Sequence, residues 1–111
     1  MERFVKGDIV VTYFPFSDLT STIKRPALVV ANLEGDDIIL CQITTKDRPD
    51  KDKILLFQKD LRLGNLKIKS FIRPSRLFTL RKTIVSYKFG SLKKEKIKEV
   101  ETRLCEIFKR E

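Results

Sequence analysis

Three observations in the sequence predict a mainly β fold, a small and strongly bent sheet or barrel covered by one C-terminal α-helix. Short runs rich in β-branched and apolar residues recur at close spacing through residues 9–89, separated by Gly, Pro, Asp and Asn turn signals. After Gly90-Ser91 the apolar period changes once, to helical spacing. The 111 residues suffice for one modest core and not for two. The expectation is one domain over residues 1–111, with the barrel at about 5–89 and the helix at about 91–109.

Gly7-Asp8 opens a first strand over 9–13, which Phe14-Pro15-Phe16 ends because Pro15 has no N–H for a ladder. Residues 17–24 are polar and turn-like, a loop long enough to carry function. Pro26 enters the central strand, 26–31, whose apolar run does not alternate and so reads as buried on both faces or inside a barrel. Glu34-Gly35-Asp36 is a hairpin turn leading to a third strand over 38–44. Residues 45–52 form a second exposed loop with three Asp and one Pro, and 53–57 a fourth strand. Residues 60–65 read as a turn-rich connection. Residues 67–73 alternate, Ile68, Ser70 and Ile72 opposing Lys67, Lys69, Phe71 and Arg73, and 77–80 form another strand before a turn at Arg81-Lys82. Short apolar pieces at 83–86 and 87–89 close the sheet. Ser91 reads as the N-cap of the helix, which packs through Ile97, Val100, Leu104, Ile107 and Phe108.

The formal net charge is +9 and the pI near 9.8, which predicts an acidic partner, nucleic acid being the commonest, or simply a Lys- and Glu-rich solvated surface. The distribution favours the first. The segment 91–111 nearly balances, seven basic residues against five acidic, whereas 59–88 holds nine basic residues and one acid, Asp60. With no His, the usual general acid–base and commonest metal ligand are missing, and no Cys/His cluster has zinc spacing. Cys41 and Cys105 each fall in an apolar pattern and read as reduced core thiols of a cytosolic protein. Met1-Glu2-Arg3-Phe4 lacks a signal-peptide apolar core, and no apolar run approaches the roughly 20 residues of a membrane span, so the expected location is the cytoplasm.

Four features stand at strand ends: Arg25, Thr44-Thr45, Arg73-Pro74-Ser75-Arg76 and the 17–24 loop. In a compact barrel the strand ends of one rim lie together. An Arg guanidinium presents a planar fork of donors to a phosphate, and a Thr hydroxyl can hold a phosphoryl oxygen or a 2′-hydroxyl. Taken singly each feature is also an ordinary surface charge, strand former or turn residue.

The sequence resembles the PemK/MazF family of toxin endoribonucleases from type II toxin–antitoxin systems. The resemblance is carried by Lys6-Gly7-Asp8-Ile9-Val10-Val11, by Tyr13-Phe14-Pro15-Phe16-Ser17-Asp18-Leu19 and by Lys24-Arg25-Pro26-Ala27-Leu28-Val29-Val30. Gln42-Ile43-Thr44-Thr45 and the block from Ser70-Phe71-Ile72-Arg73 through Pro74-Ser75-Arg76-Leu77-Phe78-Thr79-Leu80 extend it over nearly the whole chain. It implies an SH3-like β-barrel with a terminal helix, a homodimer, and metal-independent cleavage of single-stranded RNA at short sequences without a cofactor. It also implies a cognate antitoxin whose acidic tail occupies the RNA groove. Arg25 matches a catalytic arginine of the family, Thr44 a catalytic threonine, and Arg73 an arginine that some members use in catalysis. Those members carry an aspartate two positions later, where this chain has Ser75, and some relatives have a loop histidine that this chain lacks. The weight therefore shifts from an aspartate-based mechanism to Arg25 with Thr44.

In that chemistry the RNA 2′-hydroxyl attacks the adjacent phosphorus, giving a 2′,3′-cyclic phosphate and a 5′-hydroxyl end. Arg25 and Arg73 would stabilise phosphoryl charge and Thr44 would orient the phosphate. RNA binding falls to Phe16, Ser17, Thr20 and Lys24 in the first loop, Thr45 and Lys46 in the second, and Ser75 and Arg76. Phe14 and Phe16 either stack on bases or plug the barrel. Two rival readings use the same fold: a non-catalytic RNA-binding module, which would bind with salt-dependent affinity and not cleave, and a gyrase-poisoning toxin of the related fold.

Overall fold

The computed structural model describes residues 3–13 and 24–111, so the expectations for Phe14, Phe16, Ser17 and Thr20 lie outside the described residues. Among the described residues the chain forms strands β1 Asp8–Tyr13, β2 Lys24–Asn32, β3 Asp37–Thr44, β4 Ile54–Leu56, β5 Leu61–Leu63, β6 Ser70–Arg81 and β7 Val85–Leu92, followed by helix α1 Lys94–Lys109. All seven strands join one antiparallel sheet of order β4-β6-β3-β2-β1-β7-β5. The mainly β, SH3-like expectation holds, but the ladder stops short of closure. The edge strands β4 and β5 are three residues each and are joined by a 3-10 turn at Gln58–Asp60, so the architecture is a curled half-barrel with α1 against its inner face.

Strand alternation divides the sheet into two faces. The helix-side face carries Ile9, Leu28, Cys41, Ile43, Leu56 and Ile72, which pack with Val100 of α1. The outer face carries Val10, Ala27, Val29, Ile38, Leu40 and Phe78, covered in part by Phe4. The non-alternating run of the central strand is explained by this arrangement, since Leu28 meets one core and Ala27 and Val29 the other. Gly7 seats α1. It adopts φ +97°, and a Cβ there would stand 2.4 Å from Ile97 Cδ1, a position only glycine fills.

Several expectations are corrected. The two strands expected at 67–73 and 77–80 are one twelve-residue strand, β6, and Lys67 to Lys69 lie before it. The connection at 60–65 contains β5, which pairs with the end of β7. Ser91 does not cap α1. It is held in β7 opposite Asp8, its Oγ buried without a partner, and Lys93 occupies the N-cap position without a side-chain cap bond. The barrel strands thus run to Leu92 and the helix begins at Lys94. Cys41 is a core thiol as expected, but Cys105 is exposed on α1, as is Phe108, 69% accessible. Both lie beyond the arc of α1 that the sheet covers, which centres on Val100 with Ile97 and Leu104 beside it.

Candidate functional site

The outer face is apolar for most of its length and turns polar at one end, where β2, β3 and β6 lie side by side. Arg25 stands two residues before Ala27 on β2, and Thr44 two residues after Gln42 on β3. Ala27 and Gln42 are paired, so Arg25 and Thr44 leave the sheet on the same face, on neighbouring strands, just past that pair. On the other side of β3, Gln42 pairs with Arg73 and Thr44 with Phe71. The structure therefore brings Arg25, Thr44 and Arg73 to one face around Gln42, each half-buried.

Arg73 reaches this face through an irregularity in β6. Cys41 pairs with Leu77, yet the next residue, Gln42, pairs with Arg73, so Pro74, Ser75 and Arg76 bulge out of the ladder. Pro74 suits the position because it has no N–H to contribute. Three extra residues is an odd number, so the bulge exchanges the faces. Ile72 and Phe78 would share a face in a regular strand; here Ile72 enters the helix-side core and Phe78 the outer one.

The guanidinium of Arg73 is held on two sides. Its Nε donates to Asp50 Oδ2 at 2.9 Å and its Nη1 to Gln42 Oε1 at 3.1 Å. The pair is largely withdrawn from water, the side chains 15% and 8% exposed, so salt screens it little. Burial works to raise the Asp50 carboxyl. The Arg73 hydrogen bond and charge and the Asp52 N–H outweigh it, and the group sits below the usual carboxylate range.

The loop that carries Asp50 is itself fastened. The Asp52 N–H donates to Asp50 Oδ1 at 3.0 Å, and the Asp52 carboxylate accepts both Arg110 Nη1 at 3.1 Å and Arg110 Nη2 at 2.9 Å. Arg103 Nη1 donates to the Asp52 carbonyl at 2.9 Å. The Arg110 hydrogen bond, ahead of the opposing effect of burial, holds the Asp52 carboxyl below its usual range. The end of α1 is thereby tied to the loop that orients Arg73.

Beside Thr44, Phe71 is buried under two cations, Lys53 Nζ at 5.2 Å and Lys69 Nζ at 5.8 Å from the ring centroid. Thr44 Oγ1 accepts the Lys46 N–H at 3.1 Å, which leaves its hydroxyl proton to donate. Lys46, Ser75 and Arg76 are exposed around this end, the last two on the bulge. Lys24 and Thr45 go elsewhere. They fall on the helix-side face and line a groove of about 390 Å³ with Val11, Pro26, Tyr87 and Phe89, and Lys24 Nζ lies 5.5 Å from the Tyr13 ring centroid. Sequence reasoning placed Arg25, Thr44 and Arg73 and missed Gln42, Asp50 and Phe71 as site residues. The acids of the 45–52 loop were visible, but nothing local shows which of them meets an arginine 23 positions away.

Comparison with known proteins bears on the fold and the family. A mycobacterial endoribonuclease in complex with its cognate antitoxin superposes with a TM-score of 0.76 at 14% identity, covering 98% of both chains. A second mycobacterial endoribonuclease gives 0.74 at 17% identity, covering 98% of this chain and 94% of the other. A chain of a MazE–MazF structure from Deinococcus radiodurans gives 0.70 at 16% identity, covering 94% of this chain and 93% of that one. At these identities the likeness speaks for the fold. No curated protein matches the chain in sequence. A family model described as the PemK-like, MazF-like toxin of type II toxin–antitoxin systems matches residues 5–108. Nearly the whole chain is thus accounted for by one sequence pattern and one fold, and the chain belongs to the PemK/MazF-like family of type II toxins.

Proposed function

We propose that this protein is the toxin of a type II toxin–antitoxin pair and a metal-independent endoribonuclease that cleaves single-stranded RNA at short sequences. The observation that carries the reading is the placement of Arg25 and Thr44 on one face, on adjacent strands, among the cations Arg73, Lys53 and Lys69. The 2′-hydroxyl loses its proton to solvent as its oxygen bonds to phosphorus, the P–O5′ bond breaks, and the departing 5′-oxygen takes a proton from solvent, leaving a 2′,3′-cyclic phosphate and a 5′-hydroxyl. Arg25 stabilises the phosphoryl oxygens as charge builds on them, and the Thr44 hydroxyl donates to the same group. Arg73 adds its remaining N–H donors from the paired position it holds with Asp50. Asp50 is a poor proton acceptor, since its carboxyl lies below the usual range. Catalysis is accordingly assigned to positioning and electrostatic stabilisation.

Base recognition is assigned to Lys46, Ser75 and Arg76 around the polar end of the outer face, and to Phe16, Ser17 and Thr20 of the first loop, which lie outside the described residues; Lys24 and Thr45 open onto the helix-side groove and are not assigned to it. The partner that restrains the activity is an antitoxin with an acidic tail, which the basic face complements. Family resemblance supports a homodimer acting in the cytoplasm; no helix among the described residues is long and apolar enough to cross a membrane.

The test is incubation of the purified protein with a long single-stranded RNA in EDTA, beside Arg25→Ala. Discrete fragments with 5′-hydroxyl ends from the wild type alone are expected. Intact RNA with a salt-dependent gel shift would replace the nuclease by a binding module, and topoisomerase inhibition with RNA untouched would replace it by a gyrase poison.

A further inference from the structure

Gln42 lies at the centre of the polar end of the outer face, two residues from Thr44 and paired with both Ala27 and Arg73. Its orientation is fixed by chemistry. A guanidinium only donates, so the Gln42 side chain must turn its oxygen toward Arg73 Nη1, 3.1 Å away, and its NH₂ away from it. That NH₂ has no hydrogen-bond partner among the described residues. Arg73 is in turn fixed through Nε by Asp50, on a loop bound to the end of α1 by the Arg110–Asp52 pair and by Arg103.

Four consecutive contacts thus hold one neutral amide in one orientation. They run from Arg110 to Asp52, through the loop backbone to Asp50, to Arg73, and to Gln42. Arg73 keeps further N–H donors for phosphate, and its contact with the amide oxygen turns both Gln42 donors away from it.

We propose that Gln42 is a specificity-determining residue that donates from its NH₂ to a hydrogen-bond acceptor on the edge of the RNA base next to the scissile phosphate, with Arg73 and Asp50 as its positioning residues. The inference rests on the nuclease reading of the Arg25–Thr44 site. Two residues along a strand advance about 7 Å, so the amide lies one short step along the face from Thr44, within reach of an adjoining nucleotide. A base edge is favoured over a second phosphate contact because a neutral donor pair adds little beside four cations, whereas it distinguishes an acceptor from a donor on a base. In single-stranded RNA that edge is free to be read.

The experiment maps cleavage sites across a long RNA of mixed sequence for wild type, Gln42→Glu, Gln42→Ala and Asp50→Asn. Glu replaces donors with acceptors at nearly the same shape, so Gln42→Glu is expected to change the preferred base at one position of the recognised sequence by about tenfold or more. Gln42→Ala relaxes that same position, and Asp50→Asn relaxes it too while raising KM more than it lowers kcat at the remaining sites. The Gln42→Ala, Asp50→Asn double variant shows no further change in base preference, because both act through one amide. A purely structural role for Asp50 would lower activity at every site and leave the preference intact. Wild-type cleavage with an unchanged base preference in Gln42→Glu overturns the inference and leaves the nuclease reading standing. A uniform loss at all sites overturns it as well, by placing the amide on phosphate. Wild-type protein that leaves RNA intact overturns both.

Discussion

The two faces of the same sheet differ in what they do with neighbouring residues. On β3, Cys41 and Ile43 point into the helix-side core while Gln42 and Thr44 point outward; on β6, Ile72 is in the core and Arg73 on the outer face. On β2, Pro26 lines the helix-side groove and Arg25 the opposite face. Strand alternation therefore gives the core and the candidate site alternate positions over three adjacent strands. The helix-side face is apolar through its centre, where Val100 of α1 packs on it, and opens at one end into the groove lined by Lys24, Pro26 and Phe89. Among the described residues, Phe4, Leu80 and Val85 pack on one end of the outer face, and the polar groups stand at the other. A half-barrel with one helix buries the centre of one face; the candidate site lies on the face that the helix does not reach.

This division can be broken residue by residue. Arg25→Ala is expected to lower RNA cleavage about a thousandfold, the scale of losing a main donor to developing charge, while the urea midpoint of unfolding moves little. Its mirror is Ile43→Ala, one residue from Thr44 and 3% exposed. It should cost about 2–5 kcal/mol of stability and leave the cleavage rate per folded molecule close to wild type. Both quantities come from paired urea titrations and initial-rate assays. A large stability loss in Arg25→Ala would mean that the two faces are not separable. Thr44→Val keeps the strand former and removes the hydroxyl, with an expected loss of about ten- to a hundredfold in rate, mostly in kcat, and a stability change within about 1 kcal/mol.

Much of the fold was legible because it is local. The strands around Ile9, Leu28 and Leu40 announce themselves by β-branched runs between turn residues, and the helix by its change of period. What was not legible depends on distant partners. The parity of β6 is reversed by the Pro74–Arg76 bulge, which is set by pairing with β3 and cannot be read from alternation alone. Ser91 carries a good cap chemistry, but β1 and β5 hold it in the ladder. In the candidate site, the family resemblance singles out Arg25, Thr44 and Arg73, which the structure brings to one face, while Asp50 and Gln42 join that cluster only through contacts with an arginine 23 and 31 positions away.

The loop clamp gives the comparison an acid limit. Asp50 and Asp52 both sit below their ordinary value of 3.8 in the folded protein, chiefly through hydrogen bonds and charges from Arg73 and Arg110 that exceed the cost of burial. A carboxyl depressed on folding contributes stability that is fully present above its unfolded value and is lost as pH falls through its folded value. Stability measured by urea titration should therefore be flat from neutrality to about pH 5 and then fall as the pH drops past 4. In Arg110→Ala that acid fall should be shallower, because one of the two carboxylates has lost its partner. An unchanged acid slope in the variant would remove the clamp from the account.

The smallest effect expected is at the two thiols, which separate core from helix surface without touching the site. Burial pushes the Cys41 thiol up to about 12, so at neutral pH it holds almost no thiolate and no reagent reaches it. Cys105 is exposed on α1, on the side turned away from Val100. A thiol reagent added to native protein should modify one cysteine, found by mass spectrometry on the peptide containing Cys105, and the second only after unfolding. Cys105→Ser should leave stability within about 0.5 kcal/mol, whereas the same change at Cys41 places a hydroxyl among Leu28, Ile43 and Ile72, where an unpartnered polar group costs about 1–3 kcal/mol. Equal labelling of both thiols in the native protein would mean that the core around Cys41 opens to solvent, and the contrast between a buried face and one left for the candidate site would lose its basis.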